Sequence, residues 1–118
     1  MAYFEQALGA TAVFLLPSLQ LKERRAGGTV LENEVHEFLM GTFGGYTAAA
    51  GNIFGYWKDR AGEEWYGEHR QFSVALAEDT AGKLGELKEF LGQLAGKLGE
   101  QCIYLETAGR AVLVYPTP

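Results

Sequence analysis

The sequence predicts a small α+β domain in which an antiparallel β-sheet packs against two helices. Three observations lead to this prediction: a continuous apolar run near the start, two segments whose apolar residues keep helical spacing, and aromatic or β-branched segments around a turn. The 118 residues are enough for one domain with its own core, so we expect residues 1–118 to fold as a single unit.

The first strand is expected at residues 11–16, within the apolar run "ATAVFLL" that Pro17 closes. A signal peptide would have a basic segment before this run, whereas Glu5 is acidic, and the run is too short to span a bilayer. We therefore interpret it as a strand buried on both faces.

The first helix is expected within the segment "TVLENEVHEFLMGTFGG", residues 29–45. Gly44 and Gly45 are expected to end it, because glycine readily adopts the positive φ angles found after a helix C-terminus. The apolar residues with helical spacing are Leu31, Val35, Phe38 and Leu39.

A hairpin is expected next, with strands at residues 52–58 and 64–77 around the turn sequence "DRAG". Successive side chains of a strand point to opposite faces. In the second strand, every second residue from Tyr66 to Leu76 therefore shares one face, and the alternate residues share the other. Its C-terminal half is apolar enough to be buried.

The second helix is expected to begin near residue 79 or 80, and it carries a glycine stripe beside its leucines. Gly85, Gly92 and Gly99 repeat every seven residues. Either this stripe permits close approach of another backbone, such as that of a partner subunit, or it reflects a glycine-rich composition. The leucines on one face of this helix are Leu84, Leu87, Leu91, Leu94 and Leu98.

A last strand is expected at residues 101–106, and "AVLVYP" suggests an extra C-terminal strand. The order is then strand, helix, strand, strand, helix, strand. This βαββαβ order closes most simply as the ferredoxin-like arrangement, an antiparallel sheet with both helices on one face, because each crossover is then right-handed.

Four segments resemble a group of small bacterial proteins of ferredoxin-like fold and unassigned function. Typical members of that group read F-G-G-x-T, then G-x-W, a short turn and a glutamate. The resemblance covers roughly residues 12–115 and implies the fold without implying a reaction. The segments are "FLLP", "FGGYT", "GYWKDRAGEEWYGE" and "GEQCIYLETAGRAVLV".

A ligand site is expected where the "FGGYT" segment meets the hairpin. The chain leaves regular structure twice there, and loops on a rigid scaffold are where polar groups converge. The alternative interpretation is that the glycines only turn the chain while the aromatic residues fill the core. The residues that would supply hydroxyls, flat walls and titratable groups are Tyr46, Thr47, Trp57, Trp65, Glu68 and His69.

The pattern gives little support to metal, nucleophile or nucleic-acid chemistry. Glu32 and His36 lie one helical turn apart, but two ligands do not make a metal site, and the sequence has no nucleophile elbow. The net charge of -5 disfavours nucleic acid, and the third strand lacks the stacking aromatics of an RRM. We therefore expect no cofactor, no metal, no nucleic acid and no membrane partner.

Three functions fit the sequence. The first is a small oligomeric ligand-binding or regulatory module without catalysis. The second is a small cofactor-independent enzyme that uses Glu68, His69 and a tyrosine in a cleft beside the hairpin. The third is an interaction protein that caps a larger assembly.

Composition adds expectations about partners and location. The sheet face away from the helices would carry several aromatic residues, which favours a homodimer or higher homo-oligomer. A single cysteine, Cys102, cannot form an internal disulfide, which fits a cytoplasmic protein. The aromatic residues expected on that face include Tyr56, Trp57, Trp65 and Tyr104.

Overall fold

The structure is a computed structural model that describes residues 2–24, 28, 30–49, 53–77 and 80–117. Within these residues the protein is a small α+β protein with six strands and three helices. In chain order the elements are β1 (Thr11–Pro17), α1 (Ser18–Leu21), α2 (Leu31–Phe43), β2 (Thr47–Ala48), β3 (Ile53–Lys58), β4 (Glu64–Ala75), α3 (Thr80–Leu98), β5 (Ile103–Thr107) and β6 (Arg110–Val114).

The described strands form one antiparallel sheet. Its order is β2-β4-β1-β5-β6, and β3 also pairs with β4. His69 of β4 lies opposite Pro17 of β1 on one side and opposite Ile53 of β3 on the other. Strand β4 therefore separates β1 from β2 and β3, which share its second edge.

Helices α2 and α3 cover one face of this sheet. Phe14 of β1 and Phe72 of β4 point toward the helices and stack with ring centroids 5.6 Å apart. Burial of these apolar side chains is the main stabilising contribution to the fold. Both predicted apolar faces of the helices are confirmed by burial. Their buried residues are Leu31, Val35, Leu39, Leu87, Leu91, Leu94 and Leu98.

The antiparallel sheet is confirmed, but the predicted ferredoxin-like order is not, because the strand order differs. The strand predicted at residues 52–58 is present as β3, with position 52 outside the described residues, and it pairs with the N-terminal half of β4. Strand β2 was not predicted, and it pairs with the C-terminal half of β4. The extra C-terminal strand is present as β6, joined to β5 by a turn in which Ala108 and Gly109 have positive φ angles.

The ends of the helices match the predictions from the sequence only in part. Gly44 ends α2 as predicted, with a φ of 77° and an N–H that donates to the carbonyl of Met40 at 3.0 Å. Gly45 does not adopt a positive φ. Helix α1 was not predicted, because four residues are too few to show a helical repeat. None of the described helices is long and apolar enough to cross a membrane.

The glycine stripe of α3 lies partly against the chain's own C-terminal segment. A Cβ built at Gly92 would lie 3.2 Å from the carbonyl oxygen of Tyr115, and one at Gly96 would lie 3.8 Å from Cβ of Pro116. A Cβ at Gly85 would meet open space. The backbone that approaches α3 is therefore the segment after β6.

Candidate functional site

The sheet face away from the helices contains a cleft where the strands separate. β1 ends at Pro17, which has no N–H to continue a strand ladder. Within the described residues, positions 64–68 of β4 pair only with β3, and with it they form an arm over residues 53–68. The space between this arm and the β5–β6 hairpin is the cleft, with a volume of about 370 Å³.

The cleft is mostly apolar and has charged groups at its margin. It adjoins a wider space of about 780 Å³ beside the turn of the arm, with which it shares part of its lining. Lys58 and Glu100 bring opposite charges to it. Its principal lining residues are Leu15, Pro17, Trp57, His69, Cys102, Tyr104 and Leu113.

His69 is held in the cleft by a pair of glycines. Gly55 and Gly67 lie opposite each other on β3 and β4, and the imidazole lies beside them. A Cβ at position 67 would lie only 2.6 Å from Cε1 of His69, so this ring position requires glycine there. Within the described part of the chain, Nδ1 of His69 is buried and makes no hydrogen bond.

Trp57 forms an aromatic wall next to His69. The two ring centroids are 6.3 Å apart with an interplanar angle of 58°. The indole is 42% exposed, so part of its face remains available for contact with a bound molecule. The cleft therefore combines a flat apolar surface with one buried polar atom.

Trp65 lies opposite Trp57 and fixes the turn of the arm. Its indole N–H donates to Oδ2 of Asp59 at 2.9 Å, while Oδ1 of Asp59 accepts the backbone N–H of Glu63 at 2.9 Å. These hydrogen bonds lower the pKa of Asp59, and the one from Trp65 has the largest effect. Trp65 thus has a structural partner of its own.

The opposite wall of the cleft comes from β5, β6 and the residue before β5. Burial raises the pKa of the Cys102 thiol, which keeps it protonated near neutral pH and makes it a weak nucleophile. Tyr104 donates its hydroxyl to Oε2 of Glu106 at 3.0 Å, and this hydrogen bond raises the pKa of the tyrosine. Neither group is activated for covalent chemistry.

Glu68 and His69 lie on opposite faces of β4. The strand alternates regularly, so Glu68 shares the helix-side face with Arg70, which donates to Oε1 of Glu32 at 3.1 Å. Glu68 lies opposite Phe54, whose ring stacks on Tyr66 at 5.9 Å. The structure therefore does not place the two titratable candidates in one cleft.

Tyr46 and Thr47 lie away from the cleft. The Tyr46 hydroxyl and Nδ1 of His36 are 2.8 Å apart in a hydrogen bond, and the Tyr46 ring packs on Phe72 with centroids 6.0 Å apart. Thr47 is exposed on β2 opposite Ser73, beside a separate depression of about 480 Å³. Of the six predicted residues, the structure brings Trp57 and His69 together in the cleft and places Trp65 beside it.

Sequence reasoning missed the second wall of the cleft. Cys102 and Leu113 lie 33 and 44 residues after His69 in sequence, and only the sheet order brings them near it. The one local signal was Pro17, which marks the end of β1.

Among the described residues there is no group of three or more His, Cys, Asp or Glu side chains suited to a metal ion.

Comparison with known proteins shows a similarity of fold alone. No protein-family model and no curated protein matches the sequence. Two solved structures of phage SAM lyase are similar: the complex with S-methyl-5′-thioadenosine has 13% identity over 96% of this chain and 90% of that chain, with a TM-score of 0.51. The apo state has 12% identity over 99% and 98% of the two chains, with a TM-score of 0.54.

Proposed function

We propose that the protein is a small-molecule-binding module whose ligand occupies the cleft between the arm and the β5–β6 hairpin. The observation that supports this most directly is the buried Nδ1 of His69, which has no hydrogen-bond partner in the described part of the chain. An unpartnered buried polar atom costs about 1–3 kcal/mol, and most such atoms in proteins have partners. A ligand that supplies one would recover that free energy.

The lining indicates the general shape of this ligand. A cleft of about 370 Å³ is at the lower end of the range for small-molecule sites. Trp57 offers a flat surface, His69 a single buried polar atom, and the rest of the lining is largely apolar. S-methyl-5′-thioadenosine, which a solved structure of similar fold contains, has a planar base and an apolar thioether and is the natural first probe.

The test uses the two histidines as a matched pair. In a Trp65→Phe background, Trp57 is the only indole, so its fluorescence reports directly on the cleft. Titration with S-methyl-5′-thioadenosine is expected to give a saturable change. His69→Ala should weaken binding roughly tenfold or more, from the loss of about 1–3 kcal/mol, whereas His36→Ala should bind as before. Equal effects of the two substitutions would refute the proposal.

A second candidate function is catalysis, which the name of the structural neighbours favours. The predicted enzyme used Glu68 and His69 together, and their placement on opposite faces of β4 does not support that pairing. An enzyme at this site would depend on His69 without Glu68. Incubation with SAM, followed by chromatography of the products, tests this candidate: turnover that His69→Ala abolishes and Glu68→Gln retains would support it.

We further propose that the chain forms a homo-oligomer and is an elaborated member of the ferredoxin-like group that its sequence resembles. Support for the second proposal comes from β2 and β3, which occupy the same edge of β4. Counted as one interrupted strand, they leave β6 as the addition to a four-stranded βαββαβ core. The cytoplasmic location stays a prediction from the single cysteine.

A further inference from the structure

The two edges of the sheet differ in how open they are to another strand. At one edge β2 and β3 are separate segments, so this edge is not a continuous ladder. At the other edge β6 runs without interruption over Arg110–Val114 and, among the described residues, pairs only with β5. A regular edge strand presents unpaired N–H and C=O groups to any strand that approaches.

The composition of β6 does not protect it from pairing. Natural edge strands are usually blocked by lysine, proline, a bulge or a covering element. β6 reads "RAVLV", with its single charge at the first position, and its register with β5 has no bulge. Val112 and Leu113 are 41% and 53% exposed, so apolar side chains on both faces of this edge remain in solvent.

We propose that β6 pairs with β6 of a second copy of this chain, antiparallel and about a two-fold axis at Val112. In this register Val112 faces its own copy, Leu113 faces Ala111 of the partner subunit, and Val114 faces Arg110 of the partner subunit. No like charges oppose each other, so the strand is complementary to itself, which an isologous interface requires.

Two features of the fold suit this assembly. Helix α3 packs beside β6 through Gly92, which lies close to the Tyr115 carbonyl, so the α3 helices of both copies would lie on the same side of the joined sheet. Leu113 also lines the cleft. The interface would therefore adjoin the cleft wall without covering His69 or Trp57.

The β6 edge differs from the aromatic surface that the sequence first suggested as an interface. Tyr56 was expected on that surface, but it lies with Phe54 on the helix-side face of the arm, opposite Tyr66 and Glu68. Phe54 is 54% exposed and Tyr56 is 76% exposed there. An interface through the arm is the alternative that the test must separate from the edge. Val112→Lys and Phe54→Lys provide the comparison, since each adds a lysine to an exposed strand position outside the cleft.

The experiment measures mass by light scattering over a concentration series. The wild type is expected at twice the chain mass of 12.9 kDa. Val112→Lys places two lysines opposite each other at the axis and should raise the dimer dissociation constant roughly tenfold or more, while Phe54→Lys should leave it unchanged. A monomeric wild type at high micromolar concentration, or dissociation by Phe54→Lys alone, would overturn the proposal.

A cross-linking measurement keeps the test independent of any loss of folding in the lysine variant. In a Cys102→Ser background, Val112→Cys is expected to form a covalent dimer under mild oxidation, because antiparallel partners at a two-fold axis have Cα separations compatible with a disulfide. Phe54→Cys in the same background should stay uncross-linked. A covalent dimer from Phe54→Cys and none from Val112→Cys would contradict the proposed edge.

Discussion

The position of His69 depends on a single neighbouring residue. Its imidazole lies where a Cβ at position 67 would sit, 2.6 Å from Cε1, so only glycine leaves room for it. The cross-strand partner Gly55 is less restrictive, since a Cβ there would lie 3.8 Å from the same ring, an ordinary van der Waals contact. Neither glycine has a positive φ angle. The lack of a side chain at these two positions therefore leaves room for the His69 ring, and it is not needed for an unusual backbone conformation.

Gly67→Ala is expected to displace the His69 ring while leaving the fold intact. The clash involves the end of a side chain that can rotate away, so the melting temperature should change little. Ligand affinity should fall roughly tenfold, as it would if the His69 hydrogen bond were lost. Gly85→Ala, whose methyl group would meet open space on α3 outside the cleft, is the control and should bind normally. Thermal melts combined with Trp57 fluorescence titrations measure both effects, and equal affinity in the two variants would contradict this role for Gly67.

Cys102 provides a pH-dependent prediction at the same scale. Burial raises the pKa of its thiol, so at a given pH the thiolate fraction is lower than that of a free cysteine. Alkylation by iodoacetamide at pH 8 should be slow and should accelerate as pH rises above the ordinary thiol range. The same chain in denaturant is the control and should react at the rate of a free thiol. Equal rates in the folded and denatured protein would contradict the raised pKa of Cys102.

At the scale of elements, helix α3 separates two kinds of glycine. Gly85 faces open space, so nothing near it requires the lack of a side chain. Gly92 is buried, and a Cβ there would approach the Tyr115 carbonyl to 3.2 Å, which is tighter than an ordinary contact. Gly92 thus leaves room for the segment after β6, whereas Gly85 has no neighbouring segment to accommodate.

Gly85→Ala is expected to stabilise the protein by about 1 kcal/mol, the propensity difference between glycine and alanine in a helix. Gly92→Ala should gain less or lose stability, because its new methyl group must push the segment at Tyr115 aside. Urea unfolding followed by circular dichroism measures the free energy of unfolding for each. A gain at position 92 equal to that at position 85 would rule out a packing role for Gly92.

The elements that the sequence predicts well are those with a local repeat. The leucines of α3 and the alternation along β4 report directly which side is buried, and both are confirmed. The two-residue strand β2 has no such signal, because it forms only through its pairing with the C-terminal half of β4. The cleft was only half predictable for the same reason: Trp57 and His69 lie on the hairpin, whereas Leu113 joins them through strand order.

At the scale of the whole molecule, the early end of β1 produces the candidate site. The sheet is continuous where β1 lies between β4 and β5, and it separates into the arm and the β5–β6 hairpin beyond Pro17. The helices cover the other face, so the cleft stays open to solvent. The described residues extend over 56 × 37 × 30 Å, an elongated shape for a chain of this length. Function is therefore expected at the open face and the strand edges.

NMR of the imidazole nitrogens shows directly whether a bound molecule reaches His69 in the cleft. His36 and His69 are the two histidines of the chain, so their ring signals can be assigned by substitution and compared within one sample. With S-methyl-5′-thioadenosine at saturation, we predict that the Nδ1 resonance of His69 shifts while the nitrogens of His36 keep their free-state positions. A saturated complex in which His69 is unchanged would contradict the cleft as the binding site.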